Sequence, residues 1–251
     1  MLSYDVSASV LDFGGASTVK RRGESTRVGR TLRMIYRRLY RAFGPQHWWP
    51  AQTPFEMMVG AILTQATNWH NVEQAIERLK HAKALTPRAL ASLPNRRLEK
   101  AIRPAGYFRQ KARRLRGFAG WLVCRYGGHP ARMFETPLGT LRQELLSRDG
   151  IGPETADSIL LYGGGKPVFV IDAYTARVFR RHGLIGAHAA YGEVQRLVMQ
   201  TFPAKARDYN EFHAVLVAVG KRFCHRGNPD CAHCPLRDLP HTIEVEHDGK
   251  R

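Results

Sequence analysis

The sequence predicts an all-α protein. Along most of the chain, apolar residues recur every three or four positions, and short polar or Gly/Pro-containing turns separate these segments. No stretch alternates apolar and polar residues as a half-buried strand does. The one strand-like segment, KPVFVID at 166–172, has no partner strand, so we predict an extended connector there.

Residues 1–26 are rich in serine and glycine and lack periodicity, and the helical pattern begins at Thr31. We predict that residues 1–26 form a mobile, basic arm. After the loop GPQHWWPAQTP, two apolar helices are predicted within FEMMVGAILTQATNWHNVEQAIERLK. Further helices are predicted, in order, at LTPRALASL, RRLEKAIRPAG, QKARRLRGFAGWLVCRYG, PLGTLRQELLSR, AYTARVFRRHG, YGEVQRLVMQTF and ARDYNEFHAVLVAVGKRFC.

The composition indicates a globular protein with a polyanionic partner. With 43% hydrophobic and 24% charged residues among 251, wholesale disorder and a fibrous structure are excluded. No apolar run approaches the length of about 20 residues that spans a membrane, and the start of the chain lacks a secretory signal, so we expect an intracellular, cytoplasmic protein. The net charge of +18 favours nucleic acid as the partner over an anionic membrane surface. Nine basic residues between Lys20 and Arg41 fit either a solvated helix face or a phosphate-contacting stripe.

The segment LLSRDGIGPETADSILLY at 145–162 predicts two helices joined by a tight turn. Gly150 and Gly152 permit positive φ angles and leave the backbone bare, and Pro153 suits the first position of a helix. The exposed N–H groups at that helix start favour an anion. Two helices joined through G-I-G are typical of a helix-hairpin-helix, which holds a DNA backbone without reading its sequence. The alternative is an ordinary connector between helices.

Asp172 follows the apolar segment VFVI and precedes a predicted helix. An aspartate in that position is most often a helix N-cap. The hairpin about twenty residues earlier adds a functional interpretation, in which the carboxylate serves a reaction on the bound nucleic acid.

The four cysteines are unevenly spaced. Cys124 stands alone, whereas Cys224, Cys231 and Cys234 fall within eleven residues. In a reducing compartment this spacing indicates a metal site rather than disulfides.

Taken together, the G-I-G hairpin, the V-I-D-A-Y-T segment and the C-x6-C-x2-C pattern resemble the endonuclease III superfamily of DNA glycosylases, over roughly residues 45–235. The resemblance implies two interlocked helical domains: a six-helix domain with the hairpin at 46–164, and a second domain built from both chain ends, 27–45 plus 165–251. Double-stranded DNA would lie in the cleft between them, and Asp172 would be the catalytic residue. The implied DNA-binding residues are Gly150, Ile151, Gly152, Glu154 and Thr155.

Two departures refine the resemblance. Members that also cut the DNA strand carry a lysine on the hairpin helix where this chain has Glu154, and a carboxylate cannot form a Schiff base. The segments HWWPAQTP, LTQATNWH and RPAGYFRQKARRL resemble the 3-methyladenine DNA glycosylase III branch, which implies a base pocket lined by Trp49, Pro50 and Trp69. Gln65 would then enter the gap left by the flipped nucleotide. Core packing is the alternative for the tryptophans, and we assign Trp48 to the core.

The cysteine pattern is incomplete. The superfamily's C-x6-C-x2-C-x5-C pattern binds a [4Fe–4S] cluster through four thiolates, and this chain has Pro240 in the fourth position. His241 follows at once as a possible substitute ligand. Three interpretations remain open: a cluster with a substitute ligand, zinc held by three cysteines and a histidine, or no metal.

These features predict a monomeric, monofunctional DNA glycosylase of base-excision repair that hydrolyses the N-glycosidic bond of alkylated purines. A carboxylate at Asp172 would stabilise the positive charge that develops on the sugar, and aromatic faces would stack on a cationic base. The alternatives are an endonuclease III-like glycosylase with AP-lyase activity on oxidised bases, and a helix-hairpin-helix protein that binds DNA without catalysis.

Overall fold

The computed structural model describes residues 16–243, with side chains from residue 27 onward. Every regular element within this range is helical, which confirms the predicted all-α class. A 3₁₀ turn at Arg103–Ala105 precedes α6, and a π-helical turn at Ile159–Gly163 extends α9. The helices are α1 Ala16–Phe43, α2 Pro54–Leu63, α3 Trp69–His81, α4 Pro87–Ser92, α5 Asn95–Ile102, α6 Phe108–Tyr126, α7 Pro130–Glu135, α8 Leu138–Leu146, α9 Pro153–Ser158, α10 Ala173–Arg181, α11 Tyr191–Thr201 and α12 Ala206–Arg222.

Two elements differ from the sequence-based expectation. Helix α1 begins at Ala16 rather than near Thr31, so residues 16–26 of the predicted arm have helical backbone, while residues 1–15 lie outside the described range. Between Ala16 and Phe43 no proline interrupts the backbone, which lets the helix extend beyond its periodic part. Helix α7 escaped prediction because six residues with one fully buried side chain, Met133, are too few to show a period.

The connector at 166–172 is extended and pairs with no strand among the described residues, as predicted. The connector is apolar because it is buried in the core and not because it pairs in a sheet. The buried residues are consecutive: Val168, Phe169, Val170 and Ile171. The connector therefore runs through the core and delivers Asp172 to the start of α10.

The two ends of the helical region pack together. Helix α1 lies against α11 and α12, and α10 lies against α12. Between them in sequence, α3 packs on α5, α4 on α6, and α8 on α9. Buried apolar side chains from all these helices form one continuous core. The exact domain bounds, 46–164 and 27–45 plus 165–251, stay a prediction.

A buried lysine fixes the end of α2 close to the hairpin. The Nζ of Lys111 donates to the carbonyl oxygens of Leu63 at 2.9 Å and Ala105 at 2.8 Å, which are otherwise unpaired at helix C-termini. Burial, with a smaller contribution from Arg114, lowers the pKa of Lys111 to about 8. The residues that follow α2, Gln65 among them, are held in place by this contact.

None of the helices in the described part of the chain is both long and apolar enough to cross a membrane.

Candidate active site

A cleft of about 1210 Å³ lies where three parts of the fold meet. The loop before α2 and the turn after it form one wall, the hairpin between α8 and α9 forms another, and the start of α10 with one face of α12 forms the third. Asp172, Glu154, Gln65 and Trp69 all line this cleft, so the structure brings together residues predicted from separate segments.

The hairpin turn is shaped mainly by Gly150. Its φ of +73° lies in the region that favours glycine, and a Cβ there would lie 2.0 Å from the Arg114 Nε atom. Gly152 differs from the expectation, since it is the extended N-cap of α9 with a φ of −87° and open space around it. Ile151 is buried beneath the turn, and Pro153 begins α9 as predicted.

Gln65 is bonded to the hairpin. Its Nε2 donates to the Gly150 carbonyl at 2.8 Å and to the Thr155 hydroxyl at 3.0 Å, and its Oε1 accepts from Arg114 Nη1 at 3.1 Å. Gln65 thus lies on the cleft wall, and it would have to break these bonds to enter a gap in DNA.

Asp172 serves as the N-cap of α10 and also lines the cleft. Its Oδ1 accepts from the Thr175 backbone N–H at 2.7 Å, which fixes the carboxylate at the positive end of the helix. Its Oδ2 lies 3.6 Å from Nε2 of the buried His213. The N-cap interpretation and a carboxylate within the cleft therefore hold at once.

Glu154 shares the cleft with Asp172. It is exposed to the cleft, yet the surrounding protein removes part of its hydration, and the Asp172 carboxylate adds repulsion. These effects raise the pKa of Glu154 to about 7. Near neutral pH the Glu154 carboxyl group is therefore only partly ionised.

Three tryptophans cluster at one end of the cleft. The Trp49 ring centroid lies 5.3 Å from those of Trp48 and Trp69, and Trp48 and Trp69 are 5.7 Å apart. Trp48 corrects our assignment to the core: it is half-buried, lines the cleft, and has Lys221 Nζ 5.8 Å from its ring centroid. The loop before α2 turns both neighbouring tryptophans to the cleft, which sequence alone does not reveal.

Trp49 and Trp69 also separate the cleft from a smaller pocket. Pro50 lines that smaller pocket together with Trp49 and Trp69, and it does not line the cleft. The Trp69 Nε1 donates to Glu73 at 2.7 Å, and Trp49 packs on Gly60 of α2, where a Cβ would lie 3.3 Å from its Nε1.

Sequence reasoning missed several cleft residues. His213, Val217 and Lys221 line it from one face of α12, and their i, i+4, i+8 spacing was a signal that helical periodicity could have supplied. Tyr174 and Arg114 gave no such signal, because only the tertiary packing brings them to the cleft.

A buried ion pair supports the hairpin from below. Asp157 is fully buried, and its carboxylate accepts from Arg142 Nε at 2.7 Å and Nη2 at 3.1 Å. The Tyr191 hydroxyl at 2.8 Å and the Gln195 amide at 2.7 Å donate to the same carboxylate. Helices α8, α9 and α11 are thereby joined at one point.

The three clustered cysteines line a cavity of about 30 Å³ behind α10. Arg181 Nη1 donates to the Cys224 Sγ at 3.1 Å, and burial raises the pKa of the Cys231 and Cys234 thiols. Cys124 is exposed on α6 and does not line this cavity.

The fourth ligand position does not fit a four-thiolate cluster. Pro240 offers a carbonyl there, which accepts from His182 Nδ1 at 3.0 Å, and the His241 Nδ1 bonds to the Leu239 carbonyl at 2.8 Å. Within the part of the chain whose side chains are described, no group of three or more His, Cys, Asp or Glu residues is arranged to hold a metal ion.

The chain is similar to known DNA repair proteins. Residues 59–204 match the family model described as the HhH-GPD superfamily base excision DNA repair protein. A protein of Methanocaldococcus jannaschii, named as a candidate DNA repair glycosylase, is 43% identical over 207 residues, or 82% of this chain and 93% of that protein.

Solved structures show the same similarity. A non-covalent endonuclease III–DNA complex matches with a TM-score of 0.73 and 25% identity, covering 84% of this chain and 94% of the other. The 3-methyladenine DNA glycosylase of H. pylori, bound to 1,N6-ethenoadenine, matches with a TM-score of 0.65 and 28% identity, over 79% and 97% of the two chains.

Together with the helical fold and the hairpin, these similarities place the protein among the DNA-binding enzymes that act on N-glycosidic bonds. The chain belongs to the HhH-GPD superfamily of base-excision DNA repair proteins, the endonuclease III superfamily of DNA glycosylases.

Proposed function

We propose that the protein is a monofunctional DNA glycosylase that hydrolyses the N-glycosidic bond of alkylated purines in double-stranded DNA and acts as a monomer. The observation that carries this proposal is Glu154, which lies beside Asp172 in the cleft. By the resemblance, strand-cutting members have their nucleophilic lysine in the place of Glu154.

The positions of the lysines support hydrolysis without strand cleavage. Lys111 has the lowered pKa of an activated amine, but its Nζ is buried and bonded to two carbonyls. Lys166 donates to the Thr136 carbonyl at 3.1 Å and does not line the cleft. Lys221 is the lysine among the described residues that line the cleft, and its Nζ lies over the Trp48 ring.

In the proposed reaction, Asp172 provides the negative charge. Breaking the N-glycosidic bond develops positive charge on the sugar, and a fixed carboxylate within a cleft stabilises it without reorganisation. The Thr175 N–H holds one oxygen of the Asp172 carboxylate, Oδ1, and leaves Oδ2 available to the cleft. The same carboxylate orients the water that attacks the sugar.

The tryptophan cluster supports a cationic, aromatic base as substrate. Methylation at N3 or N7 makes a purine cationic, so the base leaves without a strong acid and binds to aromatic faces by cation–π attraction. Trp49 and Trp69 offer such faces beside two carboxyl groups, those of Asp172 and Glu154. The H. pylori relative is bound to another alkylated adenine, 1,N6-ethenoadenine.

For DNA binding we propose that the hairpin holds the phosphate backbone. Gly152 leaves open space in front of the α9 start, where backbone N–H groups favour an anion. Ile151 and Thr155 hold the turn from beneath, and Gln65 is released from it to fill the gap of the flipped nucleotide.

The test is product analysis on duplex DNA that carries methylated purines. Wild-type protein is incubated with the duplex, free base is measured by chromatography, and strand breaks are measured before and after alkali. We expect free methylpurine together with breaks that appear only after alkali. Borohydride should trap no covalent protein–DNA complex, because no Schiff base forms.

Breaks without alkali, together with a trapped complex, would contradict the monofunctional assignment. Lys221→Met is then the matched variant, and loss of trapping in it would identify Lys221 as the nucleophile. Release of oxidised pyrimidines but not methylpurines would contradict the assigned substrate class. Tight binding without release of any base would support the alternative of a non-catalytic DNA-binding protein.

A further inference from the structure

Tyr162, His213 and Asp172 form a row of polar groups, of which His213 and Asp172 line the cleft. The Tyr162 hydroxyl is hydrogen-bonded to His213 Nδ1, and His213 Nε2 faces Asp172 Oδ2 at 3.6 Å. These residues come from three elements: the π-helical turn after α9, α12, and the residue before α10. The His213 side chain is 6% exposed, so water competes little for its ring.

The direction of this row follows from which groups hold a proton. Burial, with the nearby Asp172 as the next contribution, raises the pKa of Tyr162 well above its usual range, so the phenol keeps its proton. A protonated phenol donates, which makes His213 Nδ1 the acceptor and leaves the ring proton on Nε2. Burial lowers the pKa of His213, although Asp172 opposes this effect, so the ring is neutral.

The Nε2 atom of His213 is a buried donor that has no hydrogen-bond partner among the described residues. At 3.6 Å its contact with Asp172 is longer than a hydrogen bond. Buried unpaired donors are rare and destabilising, and where they persist they call for an explanation. Here the atom faces the one Asp172 oxygen that the N-cap bond leaves free, since Oδ1 is held by Thr175.

We propose that His213 is a positioning residue for Asp172, donating through Nε2–H to Oδ2 once DNA fills the cleft. This inference rests on the proposed function, in which Asp172 does the chemistry. With both oxygens held, the carboxylate keeps one orientation. Tyr162 acts one step further away, by holding the His213 tautomer that can donate.

The surroundings of the His213 ring bear on any pH dependence. Phe169 of the connector packs edge-on against it, so that side is apolar. The titratable and charged groups around the row, taken from every element that packs there, are Tyr162, Asp172, Glu154, Tyr191, Glu211 and Lys221.

Single-turnover base release from methylated duplex DNA tests the proposal across pH. In His213→Leu, which removes the donor, we expect the rate to fall about 10- to 100-fold, because a hydrogen bond to a charged group is lost. The acid limb of its pH–rate profile should move to higher pH, because a donor that favours negative charge in the cleft is lost. His213→Gln retains an N–H donor of similar reach and should recover most of the rate. DNA affinity should stay within about twofold of wild type in both variants.

A second measurement is independent of activity and of the stability of a variant. Nitrogen-15 NMR of wild-type protein labelled at histidine reports which ring nitrogen carries the proton. We expect the Nε2–H tautomer for His213, and a mixture of tautomers in the nearly isosteric Tyr162→Phe. An Nδ1–H tautomer in the wild type would overturn the proposal.

Two kinetic outcomes would also overturn it. One is a His213→Leu variant with the wild-type rate and an unmoved acid limb. The other is a slow variant whose acid limb stays in place and which His213→Gln does not rescue, because that pattern belongs to a structural role. Asp172→Asn, measured in parallel, separates this inference from the proposed function: wild-type activity in Asp172→Asn would refute both. An inactive Asp172→Asn beside a normal His213→Leu would refute the inference alone.

Discussion

Glu154 shows how a single residue changes the chemistry of a cleft. A carboxyl group with a pKa of about 7 carries no charge in mildly acid solution and a full charge in mildly alkaline solution. Glu154 lies at the start of the second hairpin helix, and if the hairpin holds DNA as proposed, its ionisation places a negative charge near phosphates.

We therefore expect the affinity for undamaged duplex DNA to fall as the pH rises through about 7, by about fivefold from this group, the size of a fully hydrated unit-charge interaction at about 4 Å. Well below pH 7 the Glu154 carboxyl group is neutral and does not repel the DNA phosphates. Well above pH 7 it is ionised and repels them. Fluorescence anisotropy at about pH 6 and about pH 8, at constant ionic strength, measures this change.

The matched variant is Glu154→Gln, which should remove that part of the pH dependence and leave the contribution of the surface histidines. Identical pH dependence in the two proteins would contradict the assigned pKa.

At the residue scale, sequence could reveal only groups with a local signature. Asp172 has one, because it stands between an apolar connector and a helix start, and Gly150 has one in the G-I-G turn. Tyr162 and His213 have none, since they are 51 positions apart and meet only through packing. Whether Asp172 and the other proposed site residues act as assigned stays a prediction.

At the scale of elements, the Asp157 ion pair joins three helices. In Asp157→Asn the shape is preserved but the half-buried Arg142 guanidinium loses its charged partner, and we expect a loss of about 2–3 kcal/mol in the free energy of unfolding. Urea denaturation followed by circular dichroism measures it. Asp149→Asn removes a mostly exposed ion pair with Arg113 and should cost less than about 1 kcal/mol. Equal effects of the two variants would contradict a structural role for the network.

The cysteine loop depends on two arginines of α10. Arg177 donates to the carbonyls of Cys224 and Gly220, and Arg181 donates to the Cys224 Sγ and to the carbonyls of His225 and Arg226. We propose that these protein contacts hold the loop in place, and that the loop supports α10 and hence Asp172.

In Arg181→Met, which keeps much of the apolar volume, we expect the free energy of unfolding to fall by about 3 kcal/mol, because three partly buried hydrogen bonds of about 1 kcal/mol each lose their donor. Arg207→Met, at a 90% exposed side chain, is the control and should have little effect. Iron and zinc are measured in the same preparations. A small effect of Arg181→Met with a stoichiometric metal would mean that a metal holds the loop instead.

The helical elements were largely predictable because their core faces repeat with the helical period. Helices α2, α3, α6 and α12 are long enough for this period to be read from sequence. The start of α1 and the short α7 were not, since the sequence shows no sufficiently long apolar period in either segment. The orientation of the loop before α2 depends on contacts with residues distant in sequence, so local sequence patterns do not predict it.

For the whole molecule, the net charge of +18 implies that DNA binding depends strongly on salt. With about five phosphate contacts we expect log K against log salt concentration to have a slope of about −4.5, and affinity to fall about 500-fold between about 50 and 200 mM salt. A slope near −1 would mean that the excess positive charge lies away from the DNA.

The proposed monomeric state is tested separately. Analytical ultracentrifugation should show one protein molecule bound per lesion.

The central claim is that the Asp172 carboxylate drives cleavage of the N-glycosidic bond in the cleft. The most direct test is single-turnover release of methylpurine by the wild type, by Asp172→Asn, and by Asp238→Asn as a control at an exposed ion pair. We predict that Asp172→Asn lowers the rate by about 100-fold or more with DNA affinity retained, since charge stabilisation is lost in the transition state only, while Asp238→Asn matches the wild type. Release by Asp172→Asn at the wild-type rate would contradict the account.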